Sequence, residues 1–194
     1  MSNPGKQHWK VMKWIFRYLR GTAKLGLEFR KRETEESMIL QGYVDVDFGG
    51  DLDKRRSTTG YVFTLAECVT SWKAELQDTV ALLTTEAEYM VVVEASKEAL
   101  WLKGLVGTFG IIQVSVRVHC DSQSAIHLAK DHRFHKRTKH IDMRYHRVRQ
   151  WLSNDKVIVL EKISMKGNPT DLMMKTIQVK KFRLSLDFLH VIQG

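Results

Sequence analysis

The sequence predicts an α/β protein in which a mixed β-sheet carries helices packed against it. Three observations lead there. Strand-like segments come first, between residues 25 and 72. One long helical stripe follows, from the Thr84-Thr85 pair to about Phe109. Strands and helices then alternate toward the C-terminus.

Taken in order, His8–Arg20 reads as a helix because Trp9, Met12, Ile15, Phe16 and Leu19 recur at helical spacing, with Gly21 as the expected C-cap. Leu25–Phe29, Met38–Phe48, Gly60–Leu65 and Cys68–Trp72 read as strands separated by the polar stretches Arg32–Ser37 and Gly49–Thr59. Thr84 and Thr85 are good N-cap types for the long helix. Its stripe is Glu88, Val91, Val92, Ala95, Ala99, Leu102 and Val106. Val114, Val116, Val118 and Cys120 alternate as one face of a strand. Helices are expected near Ser122–Lys130 and Lys139–Leu152, and a strand at Val157–Ile163. Asn168-Pro169 looks like an N-cap and first-turn proline. A last amphipathic helix carries Phe182, Leu186 and Leu189.

A chain of 194 residues suffices for one domain with a real core and a small appendage. The net charge of +9 points to a polyanionic partner, and the basic residues cluster in Lys10–Arg20, Lys54–Arg56 and Lys130–Arg149. No apolar run reaches the roughly 18 to 20 residues a membrane span needs, so no membrane association is expected. The first residues lack the apolar centre of a signal peptide, and two lone cysteines, Cys68 and Cys120, suit buried thiols. An intracellular setting, cytoplasmic or nuclear, is the expectation.

Several carboxylates sit where simple solvation explains them poorly. Asp45 and Asp47 lie in the apolar segment Tyr43–Phe48, on one face because their spacing is two. Glu88 heads the helical stripe, whereas Glu86 is rotated about 200° away. Asp121 ends a strand and precedes a helix; capping that helix is its other reading. Asp171 falls in the first turn of a short helix, where an acid is unremarkable. Together they offer oxygen donors of the kind Mg2+ and Mn2+ prefer, and two such ions can drive phosphodiester cleavage. His135, His140 and His146 with Asp142 do not share a helical face and have no matching cysteine pair, which argues against a transition-metal site. Trp72, Tyr89 and Trp101 could stack on bases, although core packing is the default for each.

The blocks Tyr43-Val-Asp-Val-Asp-Phe-Gly-Gly-Asp51, Arg56-Ser-Thr-Thr-Gly-Tyr-Val-Phe63 and Thr84-Thr-Glu-Ala-Glu-Tyr-Met90 resemble copia-type retrotransposon RNase H domains. So do Cys120-Asp-Ser-Gln-Ser-Ala-Ile126, Thr138-Lys-His-Ile-Asp-Met-Arg-Tyr-His146 and Asn168-Pro-Thr-Asp171. The resemblance implies an RNase H-like fold with a five-stranded mixed sheet flanked by helices. It implies a ribonuclease H that cuts the RNA strand of an RNA–DNA hybrid with two Mg2+ or Mn2+ ions held by Asp45, Glu88, Asp121 and Asp171. It is the resemblance that selects Asp45 over Asp47.

Residues 1–30 resemble the stretch joining reverse transcriptase to RNase H, leaving 31–194 as the RNase H-like domain and making a reverse transcriptase domain a partner within a polyprotein. Expected nucleic-acid contacts, drawn from the basic clusters and matching blocks, are Arg55, Arg56, Ser57, Thr58, Ser122, Gln123, Arg137, Lys139 and His140. Phe48-Gly49 stands where the family has a tryptophan-alanine pair, and Ser164 where it often has a histidine. These departures keep open a domesticated module that binds nucleic acid or protein with little catalysis.

Overall fold

The computed structural model describes residues 3–29, 38–130, 151–152, 157–175 and 177–193. Five strands form the central sheet: β2 (Leu40–Asp47), β3 (Thr58–Leu65), β4 (Cys68–Leu76), β5 (Val116–Cys120) and β6 (Ile158–Lys162). Their order is β4-β3-β2-β5-β6. The first three make an antiparallel meander, and β5 and β6 join parallel to β2. The sheet is therefore mixed, as the sequence predicts. A two-residue loop of Ala66 and Glu67, both with positive φ, closes the β3–β4 hairpin. The strand expected to stop at Trp72 continues to Leu76 because its outer half keeps pairing with β3.

Alternation along β2 and β3 gives the sheet two different faces. Val44, Val46, Tyr61 and Phe63 join the main core with helix α2 (Thr84–Thr108) and helix α3 (Gln123–Lys130). On the other side Val62 and Val69 pack with Leu189 in a smaller cluster. This second layer includes α4 (Asp171–Met174), α5 (Val179–Phe188), and a ribbon of β1 (Leu25–Leu27) paired with β7 (Val191–Gln193). Every expected stripe residue of α2 is buried, and its N-terminal half is buried on nearly all sides.

Several expectations change in detail. Thr84 and Thr85 lie inside α2; Leu83 is the N-cap, and Glu86 Oε2 accepts the Leu82 N–H at 2.8 Å instead. Val114 precedes β5 and is exposed, so that face consists of Val116, Val118 and Cys120. Asn168 does not directly cap α4, whose N-cap is Thr170. Its amide donates to Val44 O at 2.8 Å and its Oδ1 accepts the Thr170 N–H, which fastens the α4 approach to β2. The first helix, α1 (Lys6–Gly21), contains Gly21 and is capped by Thr22. Its apolar residues Trp9, Met12, Ile15, Phe16 and Leu19 are all exposed. Both cysteines are free and buried. Most of the expected helix Lys139–Leu152 lies outside the described residues. Among those residues, no helix is long and apolar enough to cross a membrane.

Candidate metal centre and nucleic-acid interface

Strand register builds the first half of the site. In the parallel pair β2–β5, Val44 stands beside Cys120. The next residue on each strand, Asp45 and Asp121, therefore falls at the same C-terminal end, where open α/β sheets commonly bind ligands. Gly60 faces Asp45 across β3, and a Cβ there would lie 2.4 Å from Met174 Sδ. The bare Gly60 leaves room for the Met174 thioether at the end of α4, the helix that carries Asp171 to the cluster. Glu88, in the first turns of α2, completes the set.

The structure thus brings Asp45, Glu88, Asp121 and Asp171 together. Asp45 is 4% exposed and Glu88 8%. Glu88 is pushed up to about 8, first by burial and then by the negative charges of Asp121 and Asp45. Burial also raises Asp45 to about 6, helped by its hydrogen bond with Asp171. Asp171 goes the other way, to about 2. Burial opposes this, but the hydrogen bond with Asp45 and the ammonium groups of Lys181 and Lys175 outweigh it. Such spread among neighbouring carboxyls is what like charges in a poorly solvated site produce.

Two carboxylate oxygens of the cluster, Glu88 Oε2 and Asp121 Oδ1, are buried with no hydrogen-bond partner among the described residues. An orphaned buried carboxylate oxygen is costly unless something neutralises it. Donor atoms of Glu88, Cys120 and Asp121 all lie within 4.8 Å of one another. Cys120 is the poor donor of the three. Burial pushes its thiol up to about 12, and the sulfur already meets the Ser122 backbone N–H and C=O. Without the sulfur, Glu88 and Asp121 are an all-oxygen pair, with the Asp45 and Asp171 carboxylates beside it, and hard oxygen donors of this kind suit Mg2+ or Mn2+.

Asp121 escapes the capping role because Ser122 Oγ takes it, accepting the Ala125 N–H at 3.2 Å. Asp47 separates from Asp45: it is half-buried and lies over Gly50, whose Cβ position would be within 2.1 Å of Asp47 Oδ2. Two lysines escaped the sequence reading. Lys175 Nζ lies 3.0 Å from both Asp45 Oδ2 and Asp171 Oδ1, and Lys181 pairs with Asp171 Oδ2. Only the four-residue spacing of Asp171 and Lys175 signals any of this in sequence.

The expected nucleic-acid contacts divide. Arg55 is exposed on the β2–β3 turn, held at φ 56° with its N–H on Asp51 O. Arg56 pairs with Asp51 at 3.8 Å, and Thr58 and Ser122 are half-buried. Gln123 is exposed and bonds His127. Ser57 is a correction: it is 1% exposed, and its hydroxyl accepts the Gly49 N–H, so it ties the turn together and offers nothing to a phosphate. Arg137, Lys139 and His140, like His135, Asp142 and His146, lie outside the described residues. Tyr89 is core, whereas Trp72 and Trp101 are exposed, contrary to the packing default.

Over 184 residues, 95% of the chain, the sequence is 47% identical to the Retrovirus-related Pol polyprotein from transposon TNT 1-94 of Nicotiana tabacum. It spans 14% of that relative's length. Over 101 residues, 52% of the chain, it is 46% identical to Secreted RxLR effector protein 161 of Plasmopara viticola, covering 69% of it. A compost-derived RNase H1 found by a metagenomic approach superposes with a TM-score of 0.52 at 13% identity, over 71% of this chain and 93% of that one. At that identity the likeness shows the fold alone. No protein-family model matches the chain. The sequence likeness and the five-stranded mixed sheet agree: the chain is homologous to a segment of the copia-type Pol polyproteins of plant transposons, and its fold is that of RNase H.

Proposed function

We propose that this chain is a divalent-metal-dependent endoribonuclease that cuts the RNA strand of an RNA–DNA hybrid. One observation carries the reading: four carboxylates from separate elements meet at the C-terminal end of β2 and β5, and two of their buried oxygens lack a partner. In this reading Asp45, Glu88, Asp121 and Asp171 hold two Mg2+ or Mn2+ ions. When bound, such ions activate water and stabilise the leaving oxygen of a phosphodiester.

The chain's own residues set the stage for that chemistry. Parallel register fixes Asp45 and Asp121 side by side. The buried first turns of α2 keep Glu88 out of solvent. Lys162, level with Cys120 on β6, and exposed Arg55 bring positive charge for a phosphate backbone. Gln123 at the start of α3 and the Arg137–His140 region are further proposed contacts. The proposed setting is intracellular, within a polyprotein that also carries reverse transcriptase.

The test is cleavage of a hybrid carrying labelled RNA, in Mg2+ or Mn2+. Wild type is expected to cut within the hybrid RNA, and Asp121→Asn to lose about 100-fold or more in rate. Intact RNA with wild-type protein in both metals overturns the proposal. Equal cutting by both proteins assigns the activity elsewhere.

A further inference from the structure

We propose that the Lys175 ammonium is a built-in counter-cation that occupies the Asp45–Asp171 side of the cluster and competes there with the divalent ion. The inference rests on the reading of those two carboxylates as metal ligands.

The cluster is divided unevenly. On one side, Glu88 Oε2 and Asp121 Oδ1 are buried and have no partner among the described residues. On the other, every carboxylate oxygen is engaged. Asp45 Oδ1 accepts the Val46 N–H at 2.8 Å, and Asp45 Oδ2 accepts from Lys175 Nζ at 3.0 Å. Asp171 Oδ1 accepts from the same Nζ at 3.0 Å, and Asp171 Oδ2 accepts from Lys181. One ammonium therefore bridges a central strand and α4, two elements that share no covalent proximity.

Placement makes this more than a surface ion pair. Asp45 is buried, and Lys175 is only about one-third exposed. Lys175 lies four residues beyond Asp171, at the end of α4, so the same short helix delivers both the acid and its neutralising cation. A divalent ion that takes Asp45 Oδ2 or Asp171 Oδ1 as a ligand sits beside the ammonium on the same oxygen, and the repulsion between the two cations sets them in competition for it. Lys181 is not equivalent. It touches Asp171 alone, on the other oxygen, and leaves the Asp45 edge untouched. The arrangement keeps two adjacent carboxylates ordered while no metal is bound, at the expense of metal affinity.

The experiment is Mn2+ binding to metal-free protein without nucleic acid, following free Mn2+ by electron paramagnetic resonance. Wild type, Lys175→Gln and Lys175→Arg are compared, with circular dichroism confirming the fold. Lys175→Gln is expected to bind Mn2+ roughly tenfold more tightly, the lower end of what one neighbouring opposite charge does to a carboxylate's affinity for a cation. Lys175→Arg should stay near wild type. Unchanged or weaker binding by Lys175→Gln overturns the inference, as does Lys175→Arg behaving like the glutamine variant.

If Lys175→Gln does not fold, amine labelling of wild-type protein read by mass spectrometry decides. Lys175 should be shielded without Mn2+ and label faster with it; a rate indifferent to Mn2+ overturns the inference. Wild-type protein that takes up no Mn2+ defeats the metal-centre reading and this inference together. Tight wild-type binding with an unresponsive Lys175→Gln defeats this inference alone.

Discussion

Glu88→Gln should make the metal-free protein more stable while abolishing cleavage. The carboxyl is buried, carries an oxygen with no partner, and is pushed from its ordinary 4.5 up to about 8. Between those two values the unfolded chain has released its proton and the folded chain retains it. Stability therefore falls as pH rises through that window and levels off above it. At about 1.4 kcal/mol per pH unit, the deficit accumulated by pH 7 is roughly 3 kcal/mol. A glutamine keeps the shape without the titration, although burying its amide costs about 1 kcal/mol.

The variant should then exceed wild type by about 2 kcal/mol at pH 7 in EDTA, match it near pH 5 and fall slightly below it by about pH 4.5, where only the cost of the buried amide remains. Asp45 slopes in the same direction because it is also raised, but it is present in both proteins. Asp171, which is lowered, adds stability that is lost only below its ordinary value of 3.8, outside the window. Urea denaturation from pH 4.5 to 8.5 measures the difference. A wild-type stability that does not decline over that range, or a variant no more stable at pH 7, refutes the reasoning. Saturating Mg2+ should narrow or reverse the order, because ligand binding stabilises the protein that holds it better.

Three other outcomes follow from the geometry. Cys120→Ser should leave Mn2+ affinity within about threefold of wild type, since the thiol is held protonated and engaged by Ser122; a tenfold loss by calorimetry would make the sulfur a ligand. Gly60→Ala should cost about 1–3 kcal/mol in urea melts, because its Cβ meets the Met174 thioether, which must turn out of its place. A loss below about 0.5 kcal/mol would show that the Met174 side chain makes room freely. Asn168→Ala should cost about 2 kcal/mol by thermal denaturation, having removed the buried bond to Val44 O and the turn to Thr170; a loss below about 0.5 kcal/mol would mean the loop is fastened by other contacts.

Much of this arrangement was legible in the sequence, for physical reasons. The α2 stripe was readable because burial on one face imposes a helical period, and Asp45 was conspicuous because acids are rare inside apolar strands. Periodicity could not choose between Asp45 and Asp47. The choice depends on the Gly49-Gly50 turn, which draws Asp47 aside, and a turn conformation leaves little trace in hydrophobic spacing. Asp121 could have been a cap until the structure gave that work to Ser122. Ser57 looked like a phosphate contact because it stands next to the Lys54–Arg56 cluster in a family-like block, yet its hydroxyl accepts the Gly49 N–H inside the turn. Lys175 and Lys181 were missed because long-range ion pairs depend on how α4 and α5 pack, which no local pattern encodes.

The shared register of β2 and β5 has a consequence for anyone handling the protein. Side chains alternate along a strand, so sliding β5 by one residue would replace Asp121 with a cysteine or a serine beside Asp45. Such a species would keep its helices, its compactness and most of its spectroscopic signature. It would lack a carboxylate where one is needed. Under the proposed nuclease activity, turnover per folded molecule would gauge strand alignment and distinguish correctly threaded preparations from misthreaded ones that bulk measurements score alike.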